Sequence, residues 1–214
     1  MTQARIEHLT TSGFFTLDGG SWEVDNNVWL VGDDQEVIVI DPAHDSEAVA
    51  EAVGDREVVS ILLTHGHSDH VSEALALQHA VGGRIHLNPD DHVLWEQVHP
   101  QARPDVEITD GDTFTVADVR LTALHTPGHS PGSTCFFVEE LDGTPVLFSG
   151  DTLFQGGPGA TGKSYSSFET IIDSIEGRIF NDLPEDTRVH TGHGPTTRIG
   201  DEKPQLQDWK DRGY

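Results

Sequence analysis

Apolar residues recur along this chain in short runs, separated by polar stretches rich in glycine, proline and aspartate. Phe14 to Leu17, Asn27 to Val31 and Glu36 to Asp41 read as strands, the last two joined by the turn Gly32-Asp33-Asp34-Gln35. Asp45 to Val53 carries apolar residues at helical spacing (Ala48, Val49, Ala52, Val53), with Asp45 or Ser46 as N-cap and Gly54 as the stop. A buried strand, Val58 to Leu63, precedes a helix over Val71 to Val81 that Gly82-Gly83 closes. Strand Arg84 to Leu87 and a short helix, Asp90 to Val98, follow. Beyond Pro100 to Pro104 strands return at Val106 to Thr109, Thr113 to Val116, Val119 to Leu124, Thr134 to Glu139 and Pro145 to Ser149. The chain finishes with a helix over Ser166 to Phe180, a strand over Thr187 to Thr191 and a terminal helix over Leu206 to Lys210. Strands followed by helices occur twice without a sequence repeat. That order predicts an α/β (α+β) chain in which two mixed sheets pack face to face with helices outside, a four-layer αβ/βα sandwich.

Composition narrows the picture. A length of 214 residues suits one domain spanning 1–214. The 37 acidic and 12 basic side chains give a net charge of -25. Such a field repels nucleic acid and anionic membrane, and the sequence has no Lys/Arg stripe for either, so neither is an expected partner. The lone cysteine, Cys135, lies in the apolar run Ser133 to Val138; it can form no internal disulfide and is expected to pack as a small hydrophobe. With neither a signal peptide nor an apolar run of transmembrane length, a cytoplasmic location is the expectation. Oligomeric state is not legible.

Candidate chemistry gathers where strands run out. Ile61-Leu62-Leu63-Thr64 leads into His65-Gly66-His67-Ser68-Asp69-His70, which places three imidazoles and a carboxylate within six residues. In an extended turn residues two apart point the same way, so His65 and His67 can close on one ion; Asp69 and His70 stand where a helix begins and suit a second ion nearby. Imidazole and carboxylate together suit zinc, iron or manganese. Three further loops repeat the construction: His125-Thr126-Pro127-Gly128-His129 after Leu124, Ser149-Gly150-Asp151 after Phe148, and His190-Thr191-Gly192-His193 after Val189.

The set His65-x-His67-x-Asp69-His70, then His129, Asp151 and His193, resembles that of the metallo-β-lactamase-fold hydrolases over nearly the whole chain. The resemblance implies that His65, His67 and His129 hold one divalent ion, that Asp69, His70 and His193 hold a second, and that Asp151 bridges them. The carboxylates Asp69 and Asp151 are then expected to serve catalysis as well as ligation. Asp41, at the end of its strand, matches a position that supports the ligands from behind. Zinc is the expected metal, with iron or manganese as alternatives. Two such ions ~3.5–4 Å apart can share a water and lower its pKa toward ~7, so that a bridging hydroxide attacks a carbonyl. His125 and His190 fall on no family ligand position, and His44, His79, His86, His92 and His99 are expected to be surface or packing residues.

Gly157 to Ser164 matches the phosphate-binding pattern GxxxxGKS letter for letter. It follows a ligand loop rather than a strand turning directly into a helix, which argues against nucleotide binding. The stretch is more similar to the Gly-Lys-x-Tyr segment of glyoxalase II, the hydroxyacylglutathione hydrolase, which implies that Lys163 and Tyr165 contact the thiol moiety of a thioester. The chain departs from that enzyme in a longer loop before Lys163 and in stopping at Tyr214, without a C-terminal helical extension, as short bacterial relatives do. Another small thiol, mycothiol included, is compatible. The expected function is hydrolysis of a small-molecule thioester. Persulfide oxidation on one iron held by His65, His129 and Asp151, as in the similar persulfide dioxygenases, is an alternative, and lactone or other ester hydrolysis a further one.

Overall fold

Alternation over 28–31 and 37–40 decides the architecture. Trp29, Val31, Ile38 and Ile40 turn to one face of their sheet while Val28, Leu30, Val37 and Val39 turn to the other, and all eight are buried. Both faces must therefore be covered. In the computed structural model, which describes residues 3–213, a second sheet covers one face and helices cover the other.

β1 (Arg5–Leu17) and β2 (Gly20–Gly32) form a hairpin, and β3 (Glu36–Ile40) lies antiparallel to β2. From α1 (Ser46–Val53) onward the connections are crossovers: β4 (Glu57–Leu62), α2 (Ser68–Val71), α3 (Ala74–Val81), β5 (Ile85–Leu87), α4 (His92–Val98) and β6 (Val106–Glu107). They build a first sheet of order β1-β2-β3-β4-β5-β6, parallel from β3 on. In the second half β7 (Thr113–Val116), β8 (Val119–His125), β9 (Thr134–Leu141) and β10 (Thr144–Gly150) run up and down. A two-stranded ribbon of β11 (Leu153–Phe154) and β12 (Gly157–Pro158) comes next, followed by α5 (Phe168–Ser174), which continues as a π-helical segment over Ile175–Phe180. β13 (Arg188–Thr191) pairs parallel with β10, and β14 (Thr197–Arg198), α6 (Ile199–Glu202) and α7 (Leu206–Arg212) end the chain. Sheet order is β14-β13-β10-β9-β8-β7.

Between the sheets, Trp29, Ile38 and Leu62 meet Leu121, Phe136 and Phe148. Val49, Leu77 and Trp95 cover the first sheet from outside, and Ile171, Ile175 and Trp209 cover the second. The four-layer αβ/βα sandwich is the one predicted. Because β8, β10 and β13 share one direction, the loops bearing His129, Asp151 and His193 emerge at a single edge.

Departures from expectation have local causes. β1 and β2 span 13 residues each, far beyond Phe14–Leu17 and Asn27–Val31. The stretches not foreseen, 5–13 and 20–26, are mostly exposed or half-buried, with Thr11 and Asn26 as their buried positions, so no apolar run marks them. The hairpin turns at Asp18 and Gly19, both at positive φ (53° and 76°). The helix expected over 71–81 is broken at Ser72-Glu73, which leaves α2 as a separate turn carrying Asp69 and His70. β11, β12, β14 and α6 are too short to carry a period. At α1 the N-cap is Asp45, whose carboxylate accepts from Ala48 N at 2.9 Å. No helix among the described residues is long and apolar enough to cross a membrane.

Gly128 shows how tightly the second sheet's loops are fitted. Its φ of 134° suits only glycine, and a Cβ there would lie 2.2 Å from Ile171 N at the start of α5. Gly128→Ala is expected to cost at least ~2 kcal/mol in urea denaturation. A loss under ~0.5 kcal/mol, the scale of an ordinary surface substitution, would contradict this packing.

Candidate metal centre

Loops after β4, β8, β10 and β13 converge on one buried pocket. His67 Nδ1 lies 3.0 Å from His129 Nε2, and His65 packs edge-on against both rings. Next to this three-histidine group, His193 Nε2 lies 3.2 Å from Asp69 Oδ2 and 3.3 Å from His70 Nε2. Asp151 spans the two groups: Oδ1 is 3.4 Å from His70 Nε2, and Oδ2 is 3.5 Å from His129 Nε2 and 3.3 Å from His193 Nε2. All seven residues named from sequence are thus brought together, and three overlapping sets of them lie close enough to share an ion: His65, His67 and His129; His65, His70 and Asp151; Asp69, His70 and His193.

Hydrogen bonds at the backs of the rings set which nitrogen faces the pocket. His70 donates from Nδ1 to Asp41 Oδ2 (3.0 Å). Thr64 Oγ1 donates to the same carboxylate (2.6 Å) and so accepts from His65 Nδ1 (3.1 Å). His129 donates from Nδ1 to the Ala160 carbonyl (2.8 Å) and His193 to the Asp25 carbonyl (2.7 Å). Each of these four rings therefore carries a proton at Nδ1 and turns Nε2 inward. Asp41 accepts from His70 directly and reaches His65 through Thr64, with its own backbone at φ 51°.

Without a cation this pocket is poorly satisfied. His67 Nδ1 faces His129 Nε2 and His70 Nε2 faces His193 Nε2, and the buried atoms His65 Nε2, Asp69 Oδ1 and Asp151 Oδ1 have no hydrogen-bond partner. Imidazole and carboxylate donors so arranged fit divalent ions of the zinc or iron type. Burial drives the His65 imidazole well below its ordinary pKa and the His67 imidazole to about 3, so both stay neutral. Burial opposes charge on His70 and His193 too, yet Asp151 and Asp69 outweigh it: His70 rises well above its ordinary value and His193 to about 10. The same pairing, against burial, lowers Asp69 to about 2 and holds Asp151 well below the carboxylate range. Protons on His70 and His193 thus occupy the place of positive charge that a cation would take.

Sequence reasoning missed Asp91, which it read only as part of a helix start. Fully buried, Asp91 accepts from Gly66 N (2.7 Å), Ser130 Oγ (2.7 Å) and Gly132 N (2.6 Å), tying the His65/His67 loop to the His129 loop. A Cβ on Gly66 or Gly132 would come within 2.9 or 2.8 Å of Asp91 atoms, so both glycines are required. Asn26 was missed as well; its buried amide reaches Asp69 Oδ2 at 3.2 Å. Neither residue carries a sequence signal apart from its polarity.

A cleft of about 380 Å³ opens beside His129, Asp151 and His193, walled by Phe154, Ala160 and Pro195. Lys163 and Tyr165 stand outside that wall. Lys163 Nζ lies 3.5 Å above the Trp22 ring, and Tyr165 is 48% exposed. The loop matching the phosphate-binding pattern does not enter a helix directly; it folds back as β12 and presents the Ala160 carbonyl to His129. His125 bonds the Pro131 carbonyl, His190 packs between Trp29 and Phe148, and His86 packs on Phe114, all outside the pocket. Cys135 is buried and its thiol is pushed up to about 11, which removes it as a nucleophile.

Comparison with known proteins accords with this geometry. The family model for the metallo-beta-lactamase superfamily matches residues 22–211. Hydroxyacylglutathione hydrolase GloC of Haemophilus influenzae is 34% identical over 193 residues, 83% of this chain and 89% of that protein. BLEG-1 B3 metallo-beta-lactamase superposes with a TM-score of 0.75 at 29% identity, covering 93% of this chain and 99% of its own. TTHA1623, solved in a di-iron-bound form, gives 0.71 at 30% identity, covering 84% and 93%.

Because the carboxylates favour charge on His70 and His193 in the metal-free protein, cation uptake displaces those protons and affinity rises with pH toward the His193 pKa of about 10. Calorimetry at pH 7 in buffers of different ionisation enthalpy is expected to show release of about two protons per fully loaded chain, and none would contradict the assignment. Asp41→Ala, which frees His65 and His70 at once, is expected to weaken metal binding about 10–100-fold in a chelator competition.

Proposed function

The chain belongs to the metallo-β-lactamase superfamily, and from that premise we propose that it is a metal-dependent hydrolase that cleaves thioesters of a small thiol. His65, His67 and His129 would hold one divalent ion, Asp69, His70 and His193 a second, with Asp151 between them. The observation that carries this reading is the completeness of both groups in one pocket open to a cleft. The GloC relative, similar over most of both chains, favours a hydroxyacyl thioester among the esters.

When bound, the ions supply Lewis acidity and a water of lowered pKa. The protein's own groups do the rest. Asp69 and Asp151 are kept ionised, and Asp69 Oδ1, which has no other partner, is the acceptor available to orient the attacking water. Phe154, Ala160 and Pro195 give the acyl arm an apolar wall. Water adds to the thioester carbonyl, the carbon–sulfur bond breaks, and acid and free thiol leave. A thiolate departs at neutral pH without a dedicated proton donor.

Lys163 and Tyr165 are proposed to recognise the thiol end. Support comes from an aromatic path leading from the centre to Lys163: His67 to Phe15 at 5.2 Å, Phe15 to Trp22 at 5.5 Å, and Trp22 beneath the ammonium. An ammonium there, partly held by the ring, can turn to a carboxylate or amide carbonyl of the thiol carrier.

Zinc- or iron-loaded protein offered S-lactoylglutathione is expected to release thiol, and His65→Ala to abolish it. Lys163→Ala should raise KM severalfold with little change in kcat. No thiol release above the His65→Ala control from this or other acyl thioesters would end the proposal. One iron per chain with oxygen uptake on glutathione persulfide would replace it with persulfide oxidation.

A further inference from the structure

Asn26 lies in the middle of β2, fully buried, and its amide nitrogen stands 3.2 Å from Asp69 Oδ2, 3.3 Å from His70 Nε2 and 3.5 Å from His193 Nε2. Those three atoms are themselves 3.2–3.6 Å apart. All six separations among the four atoms therefore fall within one narrow range. Four points ~3.3–3.4 Å apart form a tetrahedron whose centre lies ~2.0–2.1 Å from each, the bond length of zinc to imidazole nitrogen or carboxylate oxygen. On the remaining side Asp151 reaches the same two imidazoles at 3.4 and 3.3 Å.

An amide nitrogen is a poor ligand, but oxygen and nitrogen of an Asn side chain are assigned from their hydrogen bonds and can exchange places. The other end of this amide meets His44 Nε2 at 2.8 Å. A neutral imidazole nitrogen can accept as readily as donate, so turning the amide keeps the contact with His44 and puts Oδ1 at the vacant corner. The support behind it is rigid: His44 sits at φ 58°, with its ring where a Cβ on Gly13 would be, 2.2 Å from Nδ1. Gly13, His44 and Asn26 thus form a stack that presses one amide against the Asp69–His70–His193 group.

We infer that Asn26 is a further ligand, through its amide oxygen, of the cation held by Asp69, His70 and His193. This rests on the two-cation reading above and deepens it. With Asn26 and Asp151 both at this group, its cation is the more enclosed of the two, and the open coordination for a substrate carbonyl belongs to the three-histidine group.

Cobalt(II) titration followed by visible absorption tests this without reference to turnover, with His193→Ala identifying which equivalent belongs to this group. Asn26→Ala is expected to weaken that equivalent about tenfold or more and to alter its absorption bands, leaving the other equivalent and the circular dichroism unchanged. Asn26→Asp, which keeps an oxygen at the corner, is expected to bind it at least as tightly as the unsubstituted protein. Two results overturn the inference alone: affinity within about twofold in Asn26→Ala, or Asn26→Asp as weak as Asn26→Ala, which would mark Asn26 as no more than a donor to Asp69. Uptake of a single equivalent by the unsubstituted protein would overturn it together with the two-cation reading.

Discussion

Imidazole nitrogens held 3.0 and 3.3 Å apart in a buried pocket need a shared proton or a cation between them. That constraint governs the rest of the structure. Two carboxylates and two protons meet it in the cation-free protein, and the hydrogen bonds behind the rings keep Nε2 of His70, His129 and His193 turned inward. A pocket so strained in its polar groups needs rigid walls. These are supplied by three apolar layers, one between the sheets and one beneath each set of helices.

Each half of the sandwich delivers part of the pocket, and the joints between the halves are short. Asp41 from the end of β3 holds rings from the β4 loop and α2, while Asp91, before α4, holds the β4 loop to the β8 loop. Thr134 N donates to the Thr64 carbonyl at 2.8 Å, and Asn27 N to the Gly192 carbonyl at 2.8 Å, so the sheets are stitched together beside the pocket itself. Stability and site geometry are therefore coupled, and substitutions at these joints should perturb both. The large net negative charge does not enter this arrangement directly; two divalent ions among Asp69 and Asp151 would make the centre locally positive within an acidic protein.

Much of this was legible in the sequence because the informative signals are local. The ligand loops each follow an apolar strand, and strand period fixes the faces: Val28 and Leu30 outward, Trp29 and Val31 inward. What escaped was set by pairing across the chain. Residues 5–13 of β1 and 20–26 of β2 are mostly polar, so only their pairing across the hairpin shows that they are strands. Asp91 and Asn26 look like ordinary polar residues until the fold brings them to residues 66, 130 and 132, or 69, 70 and 193. Lys163 was read from a short segment alone, and its place above Trp22 depends on a hairpin far away in sequence.

The central claim is that the seven convergent side chains enclose a pair of cations. Crystals of the metal-loaded protein measured on both sides of the metal's absorption edge address it most directly. The account predicts two anomalous peaks ~3.5–4 Å apart, one within reach of His65, His67 and His129, the other of Asp69, His70 and His193, with Asp151 touching both. A single peak, or peaks lying away from these residues, would contradict it.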